Sequence, residues 1–516
     1  GFVLRTLARR KVLNPASPAR VVRQLNALRR WGFSLAGELR SAADRSPEHA
    51  AVIDSTPGGP DRMTTYRELW GRTEALALSL RARYGIGVGS RIGVLARNHA
   101  GMIVSMAAGS ALGAEVVLLN PALSAAAIDA VVHDQKIELV LADNDLVELI
   151  PGIPALTETN AERLIAASPG DLQPPARPGR LIVLTSGTTA APKGARRRNP
   201  SSLSPLASVL DRIPLRVGER IFVAAPLFHT WGLAALQISL GLRATLVLQR
   251  KFEPHATVRA VEHYACPGLV AVPVMLQRLL ETGIVPDPRP RVVALSGSAL
   301  PGGLATHFMD VYGECLYNLY GSTEASWVSI ATPADLRTDP RTAGRPPLGT
   351  VVEIRSHDGR VLDAGQVGEI HVRNNMLFEG YTAQREATPE GLLGTGDLGH
   401  FDTDGLLYVD GRADDMIVSG GENVFPRPVE ELIAQLPQVR EVAVIGVEDP
   451  SFGQRLAAYI VLHPGERLDP ESVREYVRHY LARFCVPRDV VFLPELPRTA
   501  TGKVIPRALR LPPPRP

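Results

Sequence analysis

Residues 181–194 read Leu-Ile-Val-Leu-Thr-Ser-Gly-Thr-Thr-Ala-Ala-Pro-Lys-Gly. An apolar strand runs straight into a loop of hydroxyls and glycine that holds one cation, Lys193. Backbone N–H groups in such a turn, with Ser and Thr hydroxyls and an ammonium, suit phosphate oxygens. The spacing is not Gly-x4-Gly-Lys-Ser/Thr, because Gly194 follows the lysine. Taken alone, the segment also reads as a Ser/Thr-rich surface turn. Upstream, the strand belongs to a series. Thr65 with Glu68 forms a capping-box pattern that opens a helix through about Ala82. Strands are predicted over residues 92–95, 116–119 and 138–142, separated by helices over 102–112 and 124–133. Short apolar strands between helices predict βαβ units and a mostly parallel sheet, an α/β fold.

The chain has 516 residues, more than one compact core usually holds, so at least two domains are expected. Its 45% hydrophobic and 21% charged residues exclude a disordered chain. The 46 glycines and 43 prolines point to many loops and tight turns. Near Asp410 the pattern changes. Beyond it come helices over 429–435 and 471–481 and strands over 442–447, 456–462 and 490–493. These predict a small α+β domain at 414–516 after a large domain at 38–413. Residues 1–37 carry Arg5, Arg9, Arg10, Lys11, Arg20, Arg23, Arg29 and Arg30 and no acid, so the rest of the chain is slightly acidic at a net charge of +3. This stretch reads as a solvated, partly ordered leader; contact with an anionic membrane surface is the other reading and goes no further than peripheral.

Cys266, Cys315 and Cys485 offer neither a disulfide framework nor metal-ligand spacing, which fits a reducing cytoplasm and small buried hydrophobes. The charge-free run at residues 221–242 has the length of a membrane span, but Pro226, His229, Thr230 and Gln237 make it a buried strand, loop and helix. No nucleic-acid-binding motif is present.

Three further stretches carry polar groups at turns. Tyr317-Asn-Leu-Tyr-Gly-Ser-Thr-Glu324 places an aromatic ring for a base, an amide for an amino edge and a carboxylate for a hard cation such as Mg²⁺. Asp397, after Gly-Thr-Gly, and Arg412, after Asp410-Gly, could hold paired ribose hydroxyls; each also fits an Asx turn. Lys503, in Pro497-Arg-Thr-Ala-Thr-Gly-Lys, could reach another domain's site or sit solvated in a tail. All four signals occur in one chain, and each supplies a different part of an ATP site.

Together these motifs resemble the adenylate-forming superfamily of acyl-CoA synthetases, adenylation domains and luciferases, from about Glu38 to Leu509, with the bacterial fatty-acyl-CoA synthetases the nearest likeness. The resemblance implies a large domain of αβαβα-type sheets and a small mobile one. It implies that Thr185, Ser186, Gly187, Thr188, Thr189 and Lys193 form the phosphate loop. Ser296, Gly297, Ser298 and Ala299 fall on the adenine side, with Asn318, Tyr320, Gly321 and Ser322. Thr323 takes a phosphate position, Glu324 holds Mg²⁺, Asp397 and Arg412 hold ribose, Asp414 is the hinge and Lys503 the catalytic lysine. Ser419, Gly420 and Gly421 would face the thiol. The implied reaction consumes ATP, an acid and coenzyme A; an acyl carrier protein is the alternative acceptor, and a silent nucleotide-binding regulator the non-enzymatic alternative. Ala190 departs from the usual glycine of the phosphate loop, where a Cβ restricts φ. Pro428 and Pro506 are further departures that remove no catalytic group.

His229, Trp231, Gly232, Val272, Pro273, Gly297 and Ser326 are the expected acid pocket. Residues 226–242 contain no carboxylate to meet a substrate amine, so a hydrophobic acid is expected. A fatty acid is the first choice and a bulky alicyclic or aromatic acid the second.

Overall fold

The computed structural model describes the chain except residues 1, 11, 13–17, 168–170, 186–192, 197–198, 377–390, 413–414, 420–421, 450–452, 500–501 and 510–516. Helices α1 (Phe2–Arg9), α2 (Pro18–Trp31) and α3 (Leu35–Arg45) lead to the strands β1 (Ala50–Asp54) and β2 (Arg62–Thr65) and to α4 (Tyr66–Tyr84). A βα series follows: β3 (Arg91–Leu95), α5 (Ala100–Ala111), β4 (Glu115–Leu118), α6 (Ala125–Asp134), β5 (Leu139–Ala142), β6 (Ala155–Thr157), α7 (Glu158–Ala167), β7 (Arg180–Thr185) and β8 (Lys193–Arg196). A second series comprises α8 (Ser204–Arg212), β9 (Arg220–Val223), α9 (Thr230–Gly241), β10 (Thr245–Leu248), α10 (Pro254–His263), β11 (Gly268–Ala271), α11 (Pro273–Glu281), β12 (Val292–Leu295), α12 (Gly302–Tyr312), β13 (Leu316–Tyr320), β14 (Ser329–Ala331) and α13 (Pro333–Thr338). Strands β15 (Val351–Arg355), β16 (Gly368–Arg373), β17 (Leu393–Phe401) and β18 (Leu407–Arg412) complete the large lobe. The small lobe holds β19 (Ile417–Ser419), β20 (Glu422–Val424), α14 (Pro426–Ile433), β21 (Val439–Asp449), β22 (Gly453–Leu462), α15 (Pro470–Tyr480) and β23 (Asp489–Phe492).

Two large sheets dominate. One runs β14-β13-β12-β11-β9-β10-β1-β2 and the other β6-β5-β3-β4-β7-β8. Both are parallel within and antiparallel only at β14, β2 and β8, on their edges. Helix α5 contacts β3, β4 and β7 of one sheet and β1 of the other. Its sequence, Ala-Gly-Met-Ile-Val-Ser-Met-Ala-Ala-Gly-Ser-Ala, is apolar or small on every side, as a helix enclosed by sheets must be. Antiparallel β15–β18 form a third sheet, and β19–β23 a fourth with its own apolar core against α14 and α15. The expected α/β architecture, large lobe plus small lobe, is present.

The basic N-terminal stretch differs from the solvated leader expected. Leu7, Ala27 and Trp31 are buried, and Trp31 meets Trp70 of α4 edge to face with ring centroids 5.2 Å apart. Arg10 Nε donates to the Leu210 carbonyl at 2.8 Å, and Arg30 donates to Gln173. Apart from half-buried Arg10, the arginines of this stretch are exposed while one apolar stripe packs inward, and counting charges hides that stripe. Among the described residues, no helix is long and apolar enough to cross a membrane; residues 221–242 contribute β9, a loop and α9.

Candidate active site

Adjacent parallel strands β13, β12, β11 and β9 end along one edge of the larger sheet, and their C-terminal loops open into a cavity of about 1600 Å³. Ligand sites of open α/β sheets gather at such strand ends. After β12 come Ser296, Gly297, Ser298 and Ala299; after β9 come His229 and the start of α9; after β11 comes Val272; β13 carries Asn318 and Tyr320 into Gly321, Ser322, Thr323 and Glu324. All of these line the cavity. The turn after β13 is tight. A Cβ at Gly321 would lie 2.2 Å from the Ser326 carbonyl oxygen, so a side chain there would displace the loop.

The third sheet delivers Asp397 and Arg412 directly opposite one another on β17 and β18, with their charged groups 3.5 Å apart. Tyr320 donates its hydroxyl to Asp397 at 2.5 Å; burial and then the Asp397 charge raise its pKa well above the usual phenol range. The Asn318 Oδ1 is buried without a hydrogen-bond partner among the described residues. A buried amide oxygen beside an aromatic ring and a carboxylate fits a nucleoside: an acceptor for the base's amino group and a carboxylate for its sugar hydroxyls.

Lys503 enters this cavity from the small lobe. Its side chain is exposed at the cavity wall, yet surrounding protein lowers the ammonium's pKa, first through desolvation and then through Arg412; Asp397 and Glu324 oppose the shift. His229 stands in the same field. Burial, then Lys503, pushes its pKa down to about 4, and its Nε2 has no partner among the described residues. It is therefore a neutral imidazole with one polar edge unsatisfied. Thr323 Oγ1 lies 3.1 Å from Thr230 Oγ1, tying the loop after β13 to the first turn of α9.

The residues expected to form the acid pocket reach the cavity wall, with one exception. His229, Trp231, Gly232, Val272, Gly297 and Ser326 line the cavity, whereas Pro273 is buried in the first turn of α11, behind Val272. Trp231 is held rather than free to swing: its indole N–H donates to the Ala271 carbonyl at 3.0 Å. Gly232 is required where it stands, because a Cβ would meet the Pro226 oxygen at 2.1 Å. Ser186, Gly187, Thr188, Thr189 and Ala190 lie outside the described residues, as do Asp414, Gly420 and Gly421. Their flanks are placed: Thr185 pairs with Lys193 across β7 and β8, bracketing the loop. Ser419 pairs with Glu422 and Gly453 in the small-lobe sheet and is not brought to the cavity wall.

Sequence reasoning missed several wall residues. Thr230 and Gln237 are two, and Glu38, Ser41 and Arg45 from α3 are others. The signal available for α3 was its spacing, i, i+3, i+7, which puts three polar groups on one helical face.

A family model described as AMP-binding enzyme matches residues 39–382, and one described as AMP-binding enzyme C-terminal domain matches 428–503. A feruloyl-CoA synthase of Amycolatopsis sp is 33% identical over 462 residues, covering 86% of this chain and 92% of that protein. An indoleacetate–CoA ligase of Aromatoleum aromaticum is 32% identical, with the same two coverages. Among solved structures, the o-succinylbenzoate CoA synthetase of Bacillus subtilis bound to its acyl-adenylate superposes with a TM-score of 0.80 at 28% identity, covering 91% of this chain and 96% of that one. With both family matches falling on the lobes that build the cleft, the chain belongs to the AMP-binding enzymes of the adenylate-forming superfamily.

Proposed function

We propose that this chain is an acid–CoA ligase that activates a bulky, largely hydrophobic carboxylic acid as its acyl-adenylate and passes the acyl group to coenzyme A. The observation that carries the reading is the entry of Lys503 into a cleft that also presents Asn318, Tyr320, Asp397 and Arg412 on one side and the apolar face of α9 on the other. An acid oxygen attacks the α-phosphorus of ATP, and the bond to pyrophosphate breaks. Charge spreads over the phosphate oxygens in that step, and an ammonium with little competing water stabilises it strongly. Glu324 supplies a hard carboxylate suited to Mg²⁺, whose charge would further neutralise the phosphates. In the second step a thiol sulfur attacks the acyl carbon and AMP leaves. Trp231, Val272 and the α9 face exclude water from the mixed anhydride meanwhile.

The named relatives act on feruloyl, indoleacetate and succinylbenzoate groups, which favours an aryl or alicyclic acid over the linear fatty acid expected first. An α-amino acid is disfavoured because Glu38 stands beside Gln237, about two helical turns from Thr230. The test is a panel of carboxylic acids scored for pyrophosphate without CoA and for thioester and AMP with it. Acid-dependent pyrophosphate followed by CoA thioester is expected. Transfer only to a carrier protein's phosphopantetheine would replace the acceptor, and silence toward every acid would sink the reading.

A further inference from the structure

Helices α1 and α2 precede residue 39, where the matched family region begins, and cover the large lobe from outside, α1 against α8 and α2 against α3. In α2 the inward positions are Val21, Gln24, Ala27, Leu28 and Trp31, which recur at helical spacing. The outward face is not wholly polar. Val22 is 55% exposed and Leu25 60%, and at three residues apart they are neighbours on the helix surface. Arg20, Arg23 and Arg29 are exposed around them. Helix α1 repeats the composition: Leu4, 60% exposed, stands next to Arg5, with Arg9 one turn further on.

Neither component of this face is answered by the protein. Among the described residues, none of Arg5, Arg9, Arg20, Arg23 and Arg29 pairs with a carboxylate, and residues 1–37 contain no acid. Like charges on one helix repel, and aliphatic groups held in water are unfavourable, so the face gains from a partner both anionic and apolar. A bilayer with anionic headgroups is both: phosphates meet the guanidinium groups, and acyl chains lie just beneath for Val22 and Leu25. A nucleic acid would meet the charge and leave the aliphatic groups in water. The position of the face matters as well. Val21, Gln24, Leu25 and Leu28 line the cavity, and Leu25 belongs to the outer face too, so the cavity ends where this face begins.

We propose that the outer face of α2 docks on an anionic lipid bilayer, with Arg20, Arg23 and Arg29 at the headgroup phosphates and Val22 and Leu25 seated among the first acyl carbons. Arg5 and Arg9 of α1 add to the attraction without having to touch the surface. The docking is shallow and reversible, because two aliphatic side chains and a few cations fall well short of a spanning helix. A hydrophobic acid dissolved in the bilayer then lies against the end of the cavity. That consequence rests on the ligase reading above; the docking itself does not.

The test is flotation of the full chain with vesicles of phosphatidylcholine alone and of an equal mixture with phosphatidylglycerol, in the absence of ATP, acid and CoA. Binding to the mixed vesicles is expected to exceed binding to phosphatidylcholine by roughly tenfold or more and to weaken as salt is added. Reversing three charges together, Arg20→Glu, Arg23→Glu and Arg29→Glu, is expected to weaken it about 100-fold, and Val22→Asp about tenfold. All of these side chains are exposed, so both variants should melt within a few degrees of wild type; should the charge reversal melt lower, the three Arg→Gln changes take its place. No binding to the mixed vesicles, or equal binding to both kinds, overturns the proposal. So does binding that survives either variant. Retention by duplex DNA without binding to mixed vesicles also overturns it, and assigns the cations to a nucleic acid. Failure of every acid to release pyrophosphate would remove the ligase reading and leave the vesicle result standing.

Discussion

In the proposed mechanism the ammonium of Lys503 is the charge on which the first half-reaction turns. Desolvation and Arg412 weaken its hold on the proton while Asp397 and Glu324 strengthen it, with the balance toward a lower pKa. Adenylation should therefore fall with rising pH sooner than an ordinary lysine would dictate, and Lys503→Arg should move that limb upward. Lys503→Ala should slow acid-dependent pyrophosphate exchange by roughly 100-fold or more, while thioester formation from supplied acyl-adenylate continues. Exchange at the wild-type rate would remove Lys503 from the mechanism. His229 adds no limb between pH 5.5 and 8, since burial holds it neutral down to about 4. Much of this was legible beforehand. Asn318 and Tyr320 on β13 and Glu324 in the loop after it are close neighbours along the chain, so local spacing already groups them. The Thr230–Thr323 contact was not, because its partners stand on different strand-end loops.

At the scale of the element, local signals performed well. The capping box at Thr65 forms as read: Thr65 Oγ1 accepts from the Glu68 N–H at 3.2 Å, and Glu68 accepts from the Thr65 N–H at 2.8 Å. Thr65→Ala should cost about 1 kcal/mol of stability by denaturant titration. A different device joins α14 to β21. Glu430 Oε1 accepts the Val444 N–H at 2.7 Å, yet burial raises the carboxyl to about 7 against that bond and Arg427, with Glu431 and Asp415 adding to the rise. The side chain borders the cavity, but the protein encloses it enough for desolvation to dominate. The folded state then holds a proton that the unfolded chain releases above its ordinary carboxyl pKa. This contribution to stability is complete in acid and is lost as pH rises through about 7. Glu430→Gln keeps an acceptor for Val444 and should flatten the decline of Tm between pH 5 and 8; an unchanged slope would contradict the assignment.

At the scale of the whole molecule, the relation of the two lobes is what completes the cleft. Arg440 of the small lobe pairs with Glu281 of α11 at 2.7 Å and offers its carbonyl to Gln277. That pair is partly exposed and stabilises little. The closer constraint is Gly502, beside the lysine. Its φ is +80°, and a Cβ there would stand 2.6 Å from Val274 Cγ1. Gly502→Ala should leave the melting temperature within a few degrees of wild type yet reduce adenylation roughly tenfold, because Lys503 can no longer be seated. A variant with full adenylation activity would show that the loop accommodates the methyl group.

The sequence by itself determined the α/β alternation, the separate small lobe and the short motifs whose residues, Asn318, Tyr320 and Glu324 among them, line the cavity. Strand period, capping chemistry and short turn motifs are local, and neighbours along the chain suffice to write them. Tertiary structure alone decided where the basic N-terminal stretch packs and which distant residues share the cavity wall. Apolar positions in α1 and α2 pack on helices far along the chain, and Glu38 reaches Gln237 across 199 residues. No local pattern encodes such a meeting; it exists only once the sheets have fixed where α3 and α9 lie.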